Sequence, residues 1–239
     1  MKIIKCFLLF SYIAIAAIIN TATAGLIYSD ATNLLINGSF EEPSIPGTSW
    51  RHYAADDVIG WESSAIVDSS GAEIKDGRIE IWNGLFGTPA THGDQLAELN
   101  AHPGQASDEY FSISQTFSTV LNSHYIFGFD YRARGNNDGR FMVEVINIGS
   151  PNIFTQIYSN TDKDAWTMFS SGFIGDGGSY TLKLTSLSAA TDTTGHLLDA
   201  VYVGYDERVG PAGVPVPEPG TLLLFAIAIL GLAVKYKNI

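Results

Sequence analysis

The sequence predicts an all-β protein, an antiparallel β-sandwich of the jelly-roll type, set between two ends of different character. Three observations carry this expectation. Short runs rich in aromatic and β-branched residues recur along the chain. Gly, Asn, Asp and Ser break them, and little apolar periodicity near the helical repeat accompanies them. About nine strands at this spacing suit two packed antiparallel sheets.

The ends are set aside first. The chain opens with Met-Lys-Ile-Ile-Lys, followed by an apolar run from Cys6 to Ile19 that closes on Ala22-Thr23-Ala24. A basic start, a short apolar run and an Ala-x-Ala exit predict that residues 1–24 are a secretory signal peptide cleaved after Ala24. The only cysteine, Cys6, lies inside it, so no disulfide or thiolate is expected in the mature protein. Stability must come from a hydrophobic core, with a metal ion as the available aid.

At the other end, residues 210–220 form a Pro- and Gly-rich linker, and residues 221–234, TLLLFAIAILGLAV, carry no charge. At 1.5 Å per residue this stretch is about 20 Å long, short for a hydrocarbon core of roughly 30 Å. With lysines snorkelling from Lys235 and Lys237 it is expected to cross as a single helix, leaving residues 235–239 as a basic cytoplasmic tail. Residues 25–209 then form one sandwich domain, long enough for a full core. Four of the 13 basic residues and one of the 25 acidic ones lie in the ends. Residues 25–216 therefore keep nine bases against 24 acids, a formal charge of −15. Such a surface repels phosphate backbones, which excludes nucleic acid as a partner.

Within the body, predicted strands are Asn33–Ile36, Arg78–Trp82, Gln95–Leu99, Tyr110–Phe117, Tyr125–Arg134, Arg140–Ile148, Trp166–Ile174, Tyr180–Leu187 and His196–Tyr205. Residues 135–139, Gly-Asn-Asn-Asp-Gly, have the chemistry of a hairpin turn, because these residues tolerate positive φ. In Tyr125–Arg134, period-two alternation assigns Tyr125, Phe127, Phe129, Tyr131 and Ala133 to the core and Asp130, Arg132 and Arg134 to the opposite face. In the run ending at Trp82, Glu80 and Trp82 share one face and Ile79 and Ile81 the other.

A sugar site stacks apolar ring faces on flat aromatics and flanks them with charged or amide groups. The candidates are Trp50, His52, Tyr53, Trp82, Arg132 and Arg134, while Trp61 and Trp166 are expected in the core. The acidic body favours a neutral or cationic polysaccharide. For catalysis the sequence offers little. There is no G-x-S-x-G elbow, the five histidines show no metal-ligand spacing, and no P-loop lysine follows the glycines at 175–178. Glu80 with Glu98 is a spaced carboxylate pair that glycoside hydrolysis could in principle use, among many surface acids.

Two resemblances add to this reading. Pro217-Glu218-Pro219, the apolar stretch and the basic end resemble the PEP-CTERM sorting signal over about the last 23 residues. That resemblance implies processing near Pro217, Glu218 and Pro219 by an exosortase in a Gram-negative bacterium that makes exopolysaccharide. It implies passage through the inner membrane, then residence in the periplasm, at the cell surface or in the biofilm matrix. The second resemblance covers most of residues 33–205. Asn37-Gly38-Ser39-Phe40-Glu41, Ile59-Gly60-Trp61, residues 93–100 (Gly-Asp-Gln-Leu-Ala-Glu-Leu-Asn) and Leu198-Asp199-Ala200-Val201 are similar to motifs of galactose-binding-like jelly rolls and carbohydrate-binding modules. It implies that Glu41 and Asp199, from the first and last strands, help hold a structural Ca²⁺ with backbone carbonyls. The expected function is a non-catalytic module that binds extracellular polysaccharide. A polysaccharide hydrolase or lyase, and an adhesion or packing protein with no glycan site, are the alternatives.

Overall fold

The chain is seen in a computed structural model that describes residues 29, 32–64, 66–67, 73–75, 78–99, 110–135, 139–159, 162–187 and 194–206. The expected signal peptide with Ala24, the linker with Pro217, Glu218 and Pro219, the apolar stretch and the basic tail lie outside these residues. Among the described residues no helix is long and apolar enough to cross a membrane.

The described chain is built of strands with two short 3-10 turns. They are β1 (Ser49–Tyr53), β2 (Glu62–Ser63), β3 (Ile66–Val67), β4 (Glu73–Lys75), β5 (Ile79–Asn83), β6 (Gln95–Leu99), β7 (Ser112–Ser118), β8 (His124–Ala133), β9 (Arg140–Asn147), β10 (Phe154–Ser159), β11 (Thr167–Ile174), β12 (Ser179–Ser186) and β13 (His196–Tyr205). One sheet has the order β1-β5-β6-β13-β8-β11 and the other β10-β9-β12-β7-β2, while β3 and β4 pair separately. From β6 onward every connection except β9–β10 passes from one large sheet to the other, which is the winding of a jelly roll.

The strands face each other through aromatic and branched side chains. Tyr125, Phe127, Phe129, Tyr131 and Ala133 of β8 are buried, as their alternation requires. Across the interior Phe129 and Tyr131 meet Phe141 at ring separations of 5.8 and 5.3 Å. Trp61 is also in the core, stacked on Phe40 at 5.1 Å, with its Nε1–H donated to the Asn37 carbonyl.

Two expectations are corrected. The Gly135–Gly139 link is not a hairpin turn, because β8 and β9 lie in different sheets. Their aromatic faces meet across the sandwich instead of lying side by side. Residues 33–36 do not form a regular strand either. Leu34 N–H reaches the Val203 carbonyl at 2.7 Å, but Asn33 then uses its own amide, bonding the carbonyl of Val201 and the N–H of Val203. Ile36 pairs both its backbone groups with the Gln115 side chain, its N–H to Oε1 at 2.5 Å and its carbonyl from Nε2 at 2.9 Å. Positive φ at Asn37 (54°) and Phe40 (58°) then turns the chain away from extended geometry.

A second buried glutamine continues this pattern. Gln95 donates to the carbonyls of Phe40 (2.6 Å) and Pro43 (3.1 Å) and accepts from Ile45 N–H. A side-chain amide offers one acceptor and two donors, so it substitutes for a strand neighbour where the backbone is irregular. Gln95→Ala is expected to lower unfolding free energy by about 2–4 kcal/mol, because it leaves buried backbone groups without partners. Urea unfolding checks this, and a loss under about 0.5 kcal/mol would show that the amide does not tie the segment.

Candidate binding face on the six-stranded sheet

The sheet that contains β8 turns its second face away from the core. The strand register aligns its side chains in rows. His52 pairs with Glu80, Glu80 with Glu98, Glu98 with Leu197, and Leu197 with Arg132. A parallel row begins with Trp50 opposite Trp82 and Trp82 opposite Leu96, and ends with Asp199 opposite Asp130.

The middle of this face is filled. Trp82, Leu96 and Leu197 form a small apolar cluster of their own, with Leu85 and Trp166 packed against it. Trp82 is 1% exposed, and its Nε1–H is donated to Glu80 Oε1 at 2.6 Å. The Arg134 guanidinium lies 5.0 Å from its ring centroid, and Phe86 meets it edge-on at 5.7 Å. Trp82 is therefore a covered floor and not the exposed platform expected from its sequence.

The charges beneath this cover are paired. Glu80 Oε2 lies 2.9 Å from His52 Nε2. Glu98, 1% exposed, is held by Arg134 Nη1 at 2.9 and 3.0 Å to its two oxygens and by the Gly195 N–H at 2.8 Å. Burial, and then the neighbouring Glu80 carboxylate, push the Glu98 carboxyl above the usual range, while the Gly195 N–H and Arg134 pull it down. Arg134 thus belongs to an internal ion pair.

The edges of the face carry less deeply buried aromatics. Trp50 on the outer strand β1 is 46% exposed, with its ring set edge-on to His52. On the far side Trp166, just before β11, is half-buried, with its Nε1–H on the Pro89 carbonyl at 3.0 Å. The Arg132 guanidinium lies 5.7 Å from the Trp166 ring centroid. Tyr53 does not join this group, because it sits opposite Ile79 and packs against the main core. Trp166 and Phe86 were not expected here. The position of Trp166 beside a sheet edge, and the glycines around Phe86, were the only signals for them.

The β5–β6 connection, residues 84–94, is held by Glu41 and Asp199, the two carboxylates that the jelly-roll resemblance paired. Asp199 Oδ2 accepts from the Thr91 N–H (2.6 Å), the Thr91 hydroxyl (3.0 Å) and the His92 N–H (2.9 Å). Glu41 Oε1 accepts from the N–H groups of Asp94 (2.9 Å) and Gln95 (2.8 Å). Gly93 lies between them at φ +72°, where a Cβ would collide with Glu41 Oε1. Asp199 is fully buried, and burial pushes its carboxyl up to about 7 against the pull of the His92, Ala200 and Thr91 N–H groups. A buried carboxylate with no cation beside it would be stabilised by a bound metal ion, so this donor set is compatible with one. Among the described residues no three or more His, Cys, Asp or Glu side chains gather, so backbone carbonyls would have to complete the shell.

These features define the class: an antiparallel jelly-roll sandwich whose larger sheet carries a covered, ion-paired floor between two aromatic edges. Its C-terminal residues 215–237 match the PEP-CTERM protein-sorting motif, which implies an exported, exosortase-processed protein. No curated protein gives a significant match. Among solved structures, a CBM61 in complex with beta-1,4-galactotriose is 15% identical, covering 73% of this chain and 99% of that one with a TM-score of 0.39. A CBM4 structure is 17% identical over 72% of this chain and 99% of its own, with a TM-score of 0.40. A family 16 carbohydrate-binding module is 15% identical over 72% and 99%, with a TM-score of 0.36. The sandwich assignment rests on the strand pairing itself.

Burial pushes the Glu98 carboxyl up to about 8 although Arg134 pulls it down, so removing Arg134 raises it further. The cost of Arg134→Met in unfolding free energy should therefore grow as pH rises from 7 to 9, where the native pair ionises and the buried carboxyl of the variant resists losing its proton. Urea unfolding at the two pH values checks this, and a cost that stays constant or shrinks at pH 9 would contradict the assignment.

Proposed function

We propose that this is an exported, exosortase-sorted protein of the cell envelope or exopolysaccharide matrix, whose sandwich is a non-catalytic carbohydrate-binding module. On this reading residues 1–24 are removed as a signal peptide. Residues 221–234 hold the chain in the inner membrane until it is cleaved near Pro217, Glu218 and Pro219.

The observation that carries the binding reading is the pair of aromatic edges on one sheet face, the exposed Trp50 on β1 and the half-buried Trp166 before β11. Strands lie about 4.8 Å apart, and four steps separate β1 from β8, so about 19 Å lies between Trp50 and Arg132. That length suits an oligosaccharide laid across the strands. Indole rings take the apolar face of a sugar while polar groups fix its hydroxyls. Glu80 and Glu98 stand opposite each other, as a hydrolase or lyase would need, but each already accepts from two side-chain or backbone partners. Such engagement supports a structural role and the non-catalytic reading.

Calcium is the proposed structural ion, held by Glu41, Asp199 and carbonyls of the loop they share. When bound, it would supply hard-cation ligation that ties both ends of the domain to the β5–β6 loop.

Two measurements test these readings. On a glycan array, Trp50→Ala should lose about tenfold or more of the binding shown by the full chain, since an exposed indole contributes stacking and little to the fold. A blank array for the wild-type chain sinks the carbohydrate reading. Separately, chelator should lower the thermal midpoint of the wild type and leave Asp199→Asn unmoved. An unchanged wild-type midpoint removes calcium from the account.

A further inference from the structure

We propose that the outer face takes an acidic sugar, and that Arg132 is the residue that binds its carboxylate. This rests on the carbohydrate-binding reading and names the class of glycan within it.

The net charge of the body argues for a neutral or cationic ligand, but the local arrangement points the other way. Three cationic or potentially cationic side chains lie on this face. Arg134 is bound by both oxygens of Glu98, and His52 by Glu80. Arg132 has neither. Its Nε is buried without a hydrogen-bond partner, and no carboxylate of the described residues forms an ion pair with it. The centroid of the Trp166 ring lies 5.7 Å from its Cζ.

An acid-rich protein that leaves a half-buried arginine without an acid is unusual in its own chemistry. The nearest acid along the strand, Asp130, is on the same face. Burial pushes its carboxyl up, and it forms no ion pair with Arg132. Glu98, the buried carboxylate of the same face, is committed to Arg134. The guanidinium therefore keeps its capacity for an outside anion.

The geometry selects the anion's chemistry. A guanidinium is planar and presents paired N–H donors that match a carboxylate in a fork. An indole beside it holds that plane by cation–π attraction and limits the rotamer entropy lost on binding. The same indole gives a flat surface to the sugar ring that carries the carboxylate. Arg132 with Trp166 thus forms a two-part subsite for a uronic acid, and Trp50 at the opposite edge stacks a further residue of the same chain.

The test is calorimetric titration of the full chain in detergent micelles. The probes are oligogalacturonate and oligoalginate, set against neutral galacto-, manno- and xylo-oligosaccharides. The acidic probes should bind, more weakly at high salt. Arg132→Gln should weaken their binding by about 10–100-fold with little change in any neutral binding, and Arg132→Lys should recover part of the loss. Near-ultraviolet circular dichroism of each variant reports whether the sandwich is intact. Binding of neutral probes alone overturns the acidic-sugar inference and leaves the carbohydrate reading standing. Acidic binding that survives Arg132→Gln overturns the assignment to Arg132. No binding of any probe overturns both.

Discussion

The interlocked aromatic layer between the two sheets fixes everything outside it. Phe129 makes ring contacts with Tyr131, Phe141, Tyr158 and Phe169, all at 5.2–5.8 Å between centroids. These rings come from β8, β9, β10 and β11, so one cluster joins both sheets. Side chains alternate strictly along a strand, and a slip of one residue in β8 would bring Asp130 and Arg132 into this layer. The cost of burying two charges there holds the register. The register in turn decides which residues face outward beside Leu197 and Trp82.

A second consequence follows on the outer face. The apolar patch of Trp82, Leu96 and Leu197 draws cover over itself, and that cover buries Glu80 and Glu98 as well. Buried carboxylates need partners, and His52, Arg134 and the Gly195 N–H provide them. The bulge in β13 belongs to the same adjustment. Its register shifts between Asp199 and Tyr202, with Ala200 at φ 49° and the Val201 N–H on the Gly38 carbonyl. The shift lets Asp199 bond the β5–β6 loop while Val201 and Val203 remain in the core.

Much of the sandwich was legible in the sequence because alternation is a local signal. The bounds expected for β6, β8, β9, β11, β12 and β13 agree with the structure to within a residue or two. β1 and β10 were not legible: β1 reads Ser-Trp-Arg-His-Tyr, polar on both faces, and β10 lies at a sheet edge with little buried surface. The N-terminal segment was misread for a different reason. Its backbone is completed by Gln95 and Gln115, which stand 50 and 79 residues further along the chain. Local pattern carries no trace of such a tie. Likewise the Gly-Asn-Asn-Asp-Gly link states that the chain turns, but not which sheet it turns into. Within the candidate site, the face of each residue was readable and its exposure was not. Trp82 and Trp50 are cross-strand neighbours, yet one is covered by Arg134 and Phe86 and the other stands open at the edge.

The same distinction between pattern and placement governs the electrostatics. A formal charge of −15 over residues 25–216 describes the field far from the surface, and salt screens that field over about 10 Å. Recognition of one carboxylate takes place at hydrogen-bond distance, where Arg132 counts for more than distant acids. The two scales work together under the proposed reading. An acidic exterior keeps an acidic polysaccharide off most of the protein, since like charges repel at every unpaired carboxylate. Contact is then productive only at the face where the carboxylates are already engaged and a guanidinium is not. Overall charge sets where the glycan does not bind, and the unpaired arginine beside Trp166 sets where it does.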